Sequence, residues 1–223
     1  VLDKGEIEVI DYLGSDLTPV NAARVSFGKK KHSFDEKDEI LVKYLKDNKH
    51  YSPFRHIMVQ FRIKAPEFVM RQWYKHVVGI ETTSSYPTKD HAWNEISGRY
   101  TEVKEYYVPG IWRGQSGNNK QASLGMVEHQ DLVRKLFESS MKRIEEDYKE
   151  LIRLGVAKEQ ARILLPLNIY TEVYWTASFQ AIMNFIELRN HEHAQKEIRD
   201  YAIVVQEMMV KLFPRITNIW LFN

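Results

Sequence analysis

HIMVQFRIKAPEFVMRQWYKHV, residues 56–77, decides the fold. Its first ten residues alternate, so Ile57, Val59, Phe61 and Ile63 share one face of a predicted strand. Pro66 has a fixed φ and no N–H, which suits the first turn of a helix, and PEFVMRQWYKHV continues at helical spacing. A strand with one apolar face therefore runs directly into a helix.

The same reading extends outward. EIEVIDYLG (6–14) and NIYTEVYWTAS (168–178) are β-rich and predict strands. DEKDEILVKYLKDNKH (35–50) predicts a short helix, with Ile40, Leu41, Tyr44 and Leu45 at helical spacing. Residues 126–155 predict a long amphipathic helix closed by Gly155, and residues 157–166 a short one stopped by Pro166. FQAIMNFIELRN (179–190) and residues 192–213 predict two further helices. The polar stretch 81–92 and the stretch 110–125, which holds four glycines, predict loops, the second of them mobile. There is no internal repeat and no linker that divides the chain. The predicted fold class is α+β, an antiparallel-type sheet with helices packed on it and a long helical segment, in a single domain over residues 1–223.

Composition narrows the chemistry. The chain has 223 residues, 43% hydrophobic and 28% charged, which is ordinary for a globular protein able to bury a core. Its net charge of +2 gives no overall electrostatic footprint for nucleic acid. It has no cysteine, which excludes disulfides, thiolate metal sites and cysteine nucleophiles. No apolar run is long enough to span a membrane and no secretory leader opens the chain, so the expected setting is cytoplasmic.

Five polar clusters stand out. WNEISGRY (93–100) places Glu95 four residues before Arg99, and on a helix the two would pair for about 0.3–0.5 kcal/mol. Gly98 argues against that helix, because glycine costs about 1 kcal/mol there relative to alanine. Ser-Gly followed by Arg also suits an oxyanion, since backbone N–H groups can approach it and the guanidinium grips it with two prongs. RQWYKH (71–76) is either a helix with a basic end or a basic, aromatic surface for a planar phosphorylated ligand. KHYSPFRH (49–56) is either a capped turn or an extended approach to a site. ARILLPLN (161–168) embeds Arg162 among apolar residues, so an inward Arg162 requires an anion. In MNFIELRNHEHAQ (183–195) the pair His191 and His193 has no carboxylates at a defined spacing, and no metal site is expected. From the clusters alone the expectation is a ligand that carries phosphate and has an aromatic part.

Taken in order, AARVSF (22–27), SPFRH (52–56), RQWYKH, NEISGRY (94–100), ARILLPLN and MNFIELR…HAQ (183–195) resemble the flavin-dependent thymidylate synthases over nearly the whole chain. The family signature is Arg-His-Arg, four residues, then Asn-Glu-x-Ser-x-Arg. The second half stands as Asn94, Glu95, Ser97 and Arg99. In the first half, Lys75, His76 and Val77 replace Arg-His-Arg, and sixteen residues (78–93) follow instead of four. Lys75 keeps charge without the bidentate fork, and Val77 has no donor. Ser178 and Gln180 stand where the resemblance leads one to expect Asn and Arg.

The resemblance implies reductive methylation of dUMP without an enzyme thiol. FAD would be the cofactor, and NADPH and methylenetetrahydrofolate the co-substrates. It implies a homotetramer with sites where copies meet. It assigns dUMP to Gln72, Lys75, Glu95, Ile96, Ser97, Gly98, Arg99, Arg162 and Arg189. Arg189 is the catalytic residue, favouring the deprotonated uracil ring. FAD falls to Ser26, His50, Ser52, Lys75, His76, Val77 and Asn94, and also to Glu95, Ser178, Gln180, Asn184, Leu188 and His193. The extra stretch 81–92 is expected to form a mobile lid, or to supply Lys89 or His91 as a substitute contact. The competing expectations are a nucleotide- and flavin-binding relative that methylates weakly or only oxidises NADPH, and a nucleic-acid-binding module.

Overall fold

The computed structural model describes residues 1–76, 91–102, 105–117 and 123–222. Strand β1 (Glu6–Leu13) is followed by helix α1 (Leu17–Arg24) and a 3₁₀ turn at Val25–Phe27. Helix α2 (Glu36–Asp47) starts at Asp35, whose side chain accepts from the N–H groups of Lys37 and Asp38 in a capping box. A second 3₁₀ turn, Ser52–His56, leads into β2 (Met58–Pro66), which passes without a loop into α3 (Glu67–Trp73). Next come β3 (His91–Glu95), β4 (Arg113–Gln115), β5 (Ser123–Met126), α4 (Gln130–Arg153) and α5 (Lys158–Ala161). The chain closes with β6 (Tyr170–Ser178), α6 (Phe179–Arg189), α7 (Lys196–Leu212) and α8 (Pro214–Phe222).

Four strands form one antiparallel sheet in the order β1-β2-β6-β3. The alternation in β2 sets its face: Val59, Phe61, Ile63 and Ala65 are fully buried, while the residues between them are half-buried. Phe61 stands opposite Trp175 of β6 and stacks on it at 5.6 Å. Helices α3, α6, α7 and α8 cover this face. Trp73 lies 4.3 Å from Phe185 and edge-on to Trp175, and Phe54 meets Trp220 edge-on at 4.9 Å. These large rings belong to the core that joins sheet and helices.

Several sequence expectations shift. Residues 113–126 are not one loop: β4 and β5 pair as a two-stranded sheet. The long helix begins at Gln130 rather than 126, because Met126 ends β5. Helix α8 and helix α1 lie outside the predicted helices, and both are held by the tertiary core. WNEISGRY is not helical. Its first three residues end β3 and the rest form a turn, with Tyr100 and Thr101 N–H both donating to the Ser97 carbonyl. Glu95 and Arg99 therefore lack the helical geometry that would pair them. Of the polar stretch 81–92, residues 81–90 lie outside the described residues, including Lys89, and so does Val77. His91 and Ala92 belong to β3, pairing with Ala177 and Thr176. Among the described residues no helix is long and apolar enough to cross a membrane.

Candidate functional site

The turn after β3, the 3₁₀ segment after α5 and one face of α3 enclose an open cavity of about 640 Å³. Glu95, Ile96, Ser97, Gly98, Arg99 and Arg162 all line it, six of the residues expected to bind nucleotide. Glu67, Arg71 and Thr171 line it as well; Arg71 opens the RQWYKH cluster, but none of the three was expected at the nucleotide. On α3, residues 67 and 71 are one turn apart and 75 follows, so Glu67, Arg71 and Lys75 form a polar stripe. That spacing was legible. Lys75 lines an adjoining cavity of about 540 Å³, which shares Glu67, Arg71 and Glu95 with the first.

The cations of the larger cavity are not neutralised. Arg99 Nε donates to Ser97 Oγ at 3.3 Å, and Arg162 Nε to the Glu159 carbonyl at 3.3 Å. Among the described residues, Arg71, Arg99 and Arg162 form no ion pair with a carboxylate oxygen. Three guanidiniums outnumber the carboxylates around one cavity and none is ion-paired among the described residues, which leaves a net positive site for an anion. Gly98 packs on the Arg162 stem: a Cβ there would touch Arg162 Cδ at 3.4 Å. The apolar rim of the cavity is open, with Ile163 at 80% exposure and Leu167 at 48%.

Two carboxyls sit among these cations. Glu95 Oε1 accepts from the Thr171 hydroxyl at 2.7 Å and Oε2 from the Trp93 indole N–H at 3.3 Å. Glu67 and Glu95 line both cavities together, and their carboxyls are within hydrogen-bonding reach of each other. Burial raises the Glu67 carboxyl to about 7, Glu95 adds to the rise, and Arg71 and Arg162 oppose it.

Arg189 does not line this cavity. At the end of α6 it donates from Nε to His76 Nε2 at 2.8 Å, and its Nη2 reaches the Gln72 carbonyl at 3.5 Å. Gln72 Nε2 donates to Gln195 Oε1 at 2.7 Å, which turns Gln72 away from the guanidinium trio. Gln195 in turn donates to Glu197, a buried carboxylate held by Arg113 Nη2 at 2.7 Å. The expected nucleotide residues thus fall into two groups on one chain: Glu95–Arg99 with Arg162 and the adjoining Lys75, and Gln72 with Arg189, which meets the expected flavin residue His76.

Burial and the adjacent Arg189 lower His76 to about 4. Its folded value lies below the ordinary 6.5, so its contribution to stability is complete above pH 6.5 and is lost as pH falls toward 4. The melting temperature of the wild type should drop over that interval. His76→Gln keeps an acceptor for Arg189 without a titrating ring, and its melting temperature should drop less. Parallel melting curves for the two proteins would show that His76 is not the titrating group.

Apart from Glu95 and Lys75, the described residues expected at a flavin do not line these cavities. Ser26, His50, Ser52, Asn94, Asn184 and His193 are exposed, as is Leu188 at 58%. Ser26 sits in the 3₁₀ turn after α1, anchored by Arg24 Nη2 on Asp38 at 2.8 Å. His50 packs edge-on to Tyr44. Ser178 is fully buried, and its hydroxyl accepts from the Ala181 N–H as the cap of α6. Gln180 is buried too, and its Oε1 accepts from Arg55 Nε at 2.7 Å. Both side chains therefore have structural partners within the chain. The rings of His191 and His193 lie 5.0 Å apart.

The chain is similar to known proteins over nearly its whole length. A family profile described as thymidylate synthase complementing protein matches residues 8–215. The flavin-dependent thymidylate synthase of Thermosipho africanus is 41% identical over 218 residues, covering 96% of this chain and 90% of the relative. The enzyme of the same name from Treponema denticola is 41% identical over 220 residues, covering 96% of this chain and 78% of its own. The crystal structure of a UMP/dUMP methylase, PolB from Streptomyces cacaoi bound with 5-Br dUMP, superposes with a TM-score of 0.84 at 28% identity, covering 98% of this chain and 95% of that one. On the extent of these matches, the chain belongs to the flavin-dependent thymidylate synthase family.

Proposed function

We propose that the chain, as a single domain over residues 1–223, methylates dUMP to dTMP. Methylenetetrahydrofolate is the one-carbon donor in this reading, and FAD reduced by NADPH is the hydride source. The observation that carries it is the trio Arg71, Arg99 and Arg162 around the 640 Å³ cavity, none of them ion-paired with a carboxylate among the described residues. A phosphomonoester supplies the missing charge. Ser97 and the backbone beside Gly98 add donors, and the apolar wall of Ile163, Leu165 and Leu167 suits the edge of a base.

Arg189 acts on the pyrimidine in this proposal. Burial lowers its pKa, and among the described residues it has no carboxylate partner, so its charge is available to a ligand. A guanidinium beside uracil stabilises negative charge on the ring and makes the carbon to be methylated more nucleophilic. The group lies outside the cavity of its own chain, so we assign it to the cavity of a second copy in a homotetramer. The exposed rim residues Ile163 and Leu167 are the apolar surface such a copy would cover.

The flavin fits the exposed set better than the buried one. Ser26, His50, Ser52, Asn184 and Leu188 present accessible polar and apolar groups, whereas Ser178 and Gln180 would orient α6 rather than touch the ring. Bound there, the flavin supplies the hydride, and the protein orients it and excludes water. Release of tritium from dUMP labelled at C5, dependent on NADPH and methylenetetrahydrofolate, is the expected result for the purified protein. NADPH oxidation without tritium release would favour the relative that binds nucleotide and flavin but does not methylate.

A further inference from the structure

The Glu67–Glu95 contact has no role in the reaction described above. It is unusual, because two carboxylates meet in a cavity built for an anion. Both residues line the 640 Å³ cavity and the adjoining 540 Å³ one, Glu67 from the first turn of α3 and Glu95 from the end of β3. Two ionised carboxylates repel, and a hydrogen bond between them requires a proton. The neighbours say where it sits. Both oxygens of Glu95 already accept, one from the Thr171 hydroxyl and the other from the Trp93 indole, which can only donate. Glu67 is therefore the donor and Glu95 the acceptor.

We propose that Glu67 and Glu95 act as one proton-sharing carboxyl pair, and that the proton they hold sets how strongly the cavity takes a phosphomonoester. The inference rests on the nucleotide reading of that cavity. The charged groups facing the pair are Arg71 from α3 itself, Arg162 from the segment after α5, and Arg99 from the turn after β3, with Lys75 in the adjoining cavity. Tyr170 of β6 also lines the cavity, and burial raises its phenol, which donates to Asp3 and stays neutral. With the proton in place the pair carries one negative charge opposite three guanidiniums. Without it the pair carries two, and a phosphate meets a less positive cavity. The raised Glu67 value puts this change near neutral pH.

By linkage, an anion that binds more tightly to the protonated pair must draw a proton in as it binds. The free ligand gives the opposite trend. A phosphomonoester gains its second charge near pH 6, so its own titration strengthens binding to arginines as pH rises.

The test uses the protein as purified, with dUMP as probe. Calorimetric titrations at about pH 7.5 in buffers of different ionisation enthalpy read proton uptake. The wild type is expected to take up a fraction of a proton per dUMP, and its affinity to fall several-fold from about pH 6.5 to about pH 8.5. Glu67→Gln, isosteric and permanently neutral, should take up none and hold its affinity flat or rising with pH. Equal proton uptake by the two proteins would overturn the proposal. A second readout needs no ligand. The infrared difference between ligand-free wild type and Glu67→Gln near pH 6 should show one protonated carboxyl carbonyl band, and its absence overturns the pair itself. Failure to bind dUMP with that band present would instead count against the nucleotide reading of the cavity.

Discussion

Arg189→Ala should reduce thymidylate formation by at least about 100-fold, the scale seen when one donor aimed at developing charge is removed. The loss should appear in kcat, because the proposed role is to stabilise charge on the ring during reaction rather than to hold the phosphate. Melting should change little. Arg189 is at the half-buried end of α6 and pairs with a neutral histidine and a backbone carbonyl, not with a buried carboxylate. Arg189→Lys keeps charge but not the planar fork and should recover only part of the rate. Thymidylate formation at the normal rate by the alanine variant would remove Arg189 from the chemistry.

The same residue tests the assembly. If Arg189 serves the cavity of another copy, mixed oligomers of Arg189→Ala and Arg99→Ala subunits contain some sites with both arginines intact. Two inactive variants, unfolded and refolded together, should then regain activity. If Arg189 serves its own chain, every site in the mixture lacks one arginine and no activity returns. Complementation is thus a direct readout of what the single chain shows, a guanidinium trio at one place and its proposed fourth member at another.

Arg162→Ala should raise the KM for dUMP by about 10- to 100-fold, equivalent to a lost charge-assisted hydrogen bond of about 1.5–3 kcal/mol. Arg162 lines the cavity, and among the described residues its guanidinium has only the Glu159 carbonyl as a hydrogen-bond partner, so removal leaves no ion-paired carboxylate behind. The expected pattern is a higher KM with kcat reduced much less, the mark of an interaction present in both ground and transition states. An unchanged KM would show that the phosphate lies elsewhere. Loss of kcat at constant KM would move Arg162 from binding to chemistry.

The alternation of Ile57, Val59, Phe61 and Ile63 and the proline that follows were sufficient for β2, α3 and the α+β class, because one-sided burial imposes the period-two pattern directly. The polar composition of NEISGR and the apolar setting of Arg162 likewise pointed to an anion, and the structure brings these residues to one cavity. Local pattern was silent where long-range contact decides. Helix α8 exists because Trp220 packs on Phe54 and Phe179, 166 and 41 residues earlier in the chain. The stretch 110–125 reads as glycine-rich loop until Arg113 is seen paired to a buried Glu197 and β4 to β5.

The site divides in the same way. Residues adjacent in sequence, Glu95 to Arg99, could be read as one wall from their chemistry. The proximity of Glu67 to Glu95 could not, because it arises where β3, docked beside β6, brings its end against the first turn of α3. Nor could the separation of Arg189 from Arg99 and Arg162, which depends on which side of the helical layer each element faces. Sequence determined which charges this protein carries and the periodicity that builds the sheet and its helices. Tertiary structure alone decided which of those charges face one another, because side chains far apart along the chain meet only when the core that aligns their backbones has formed.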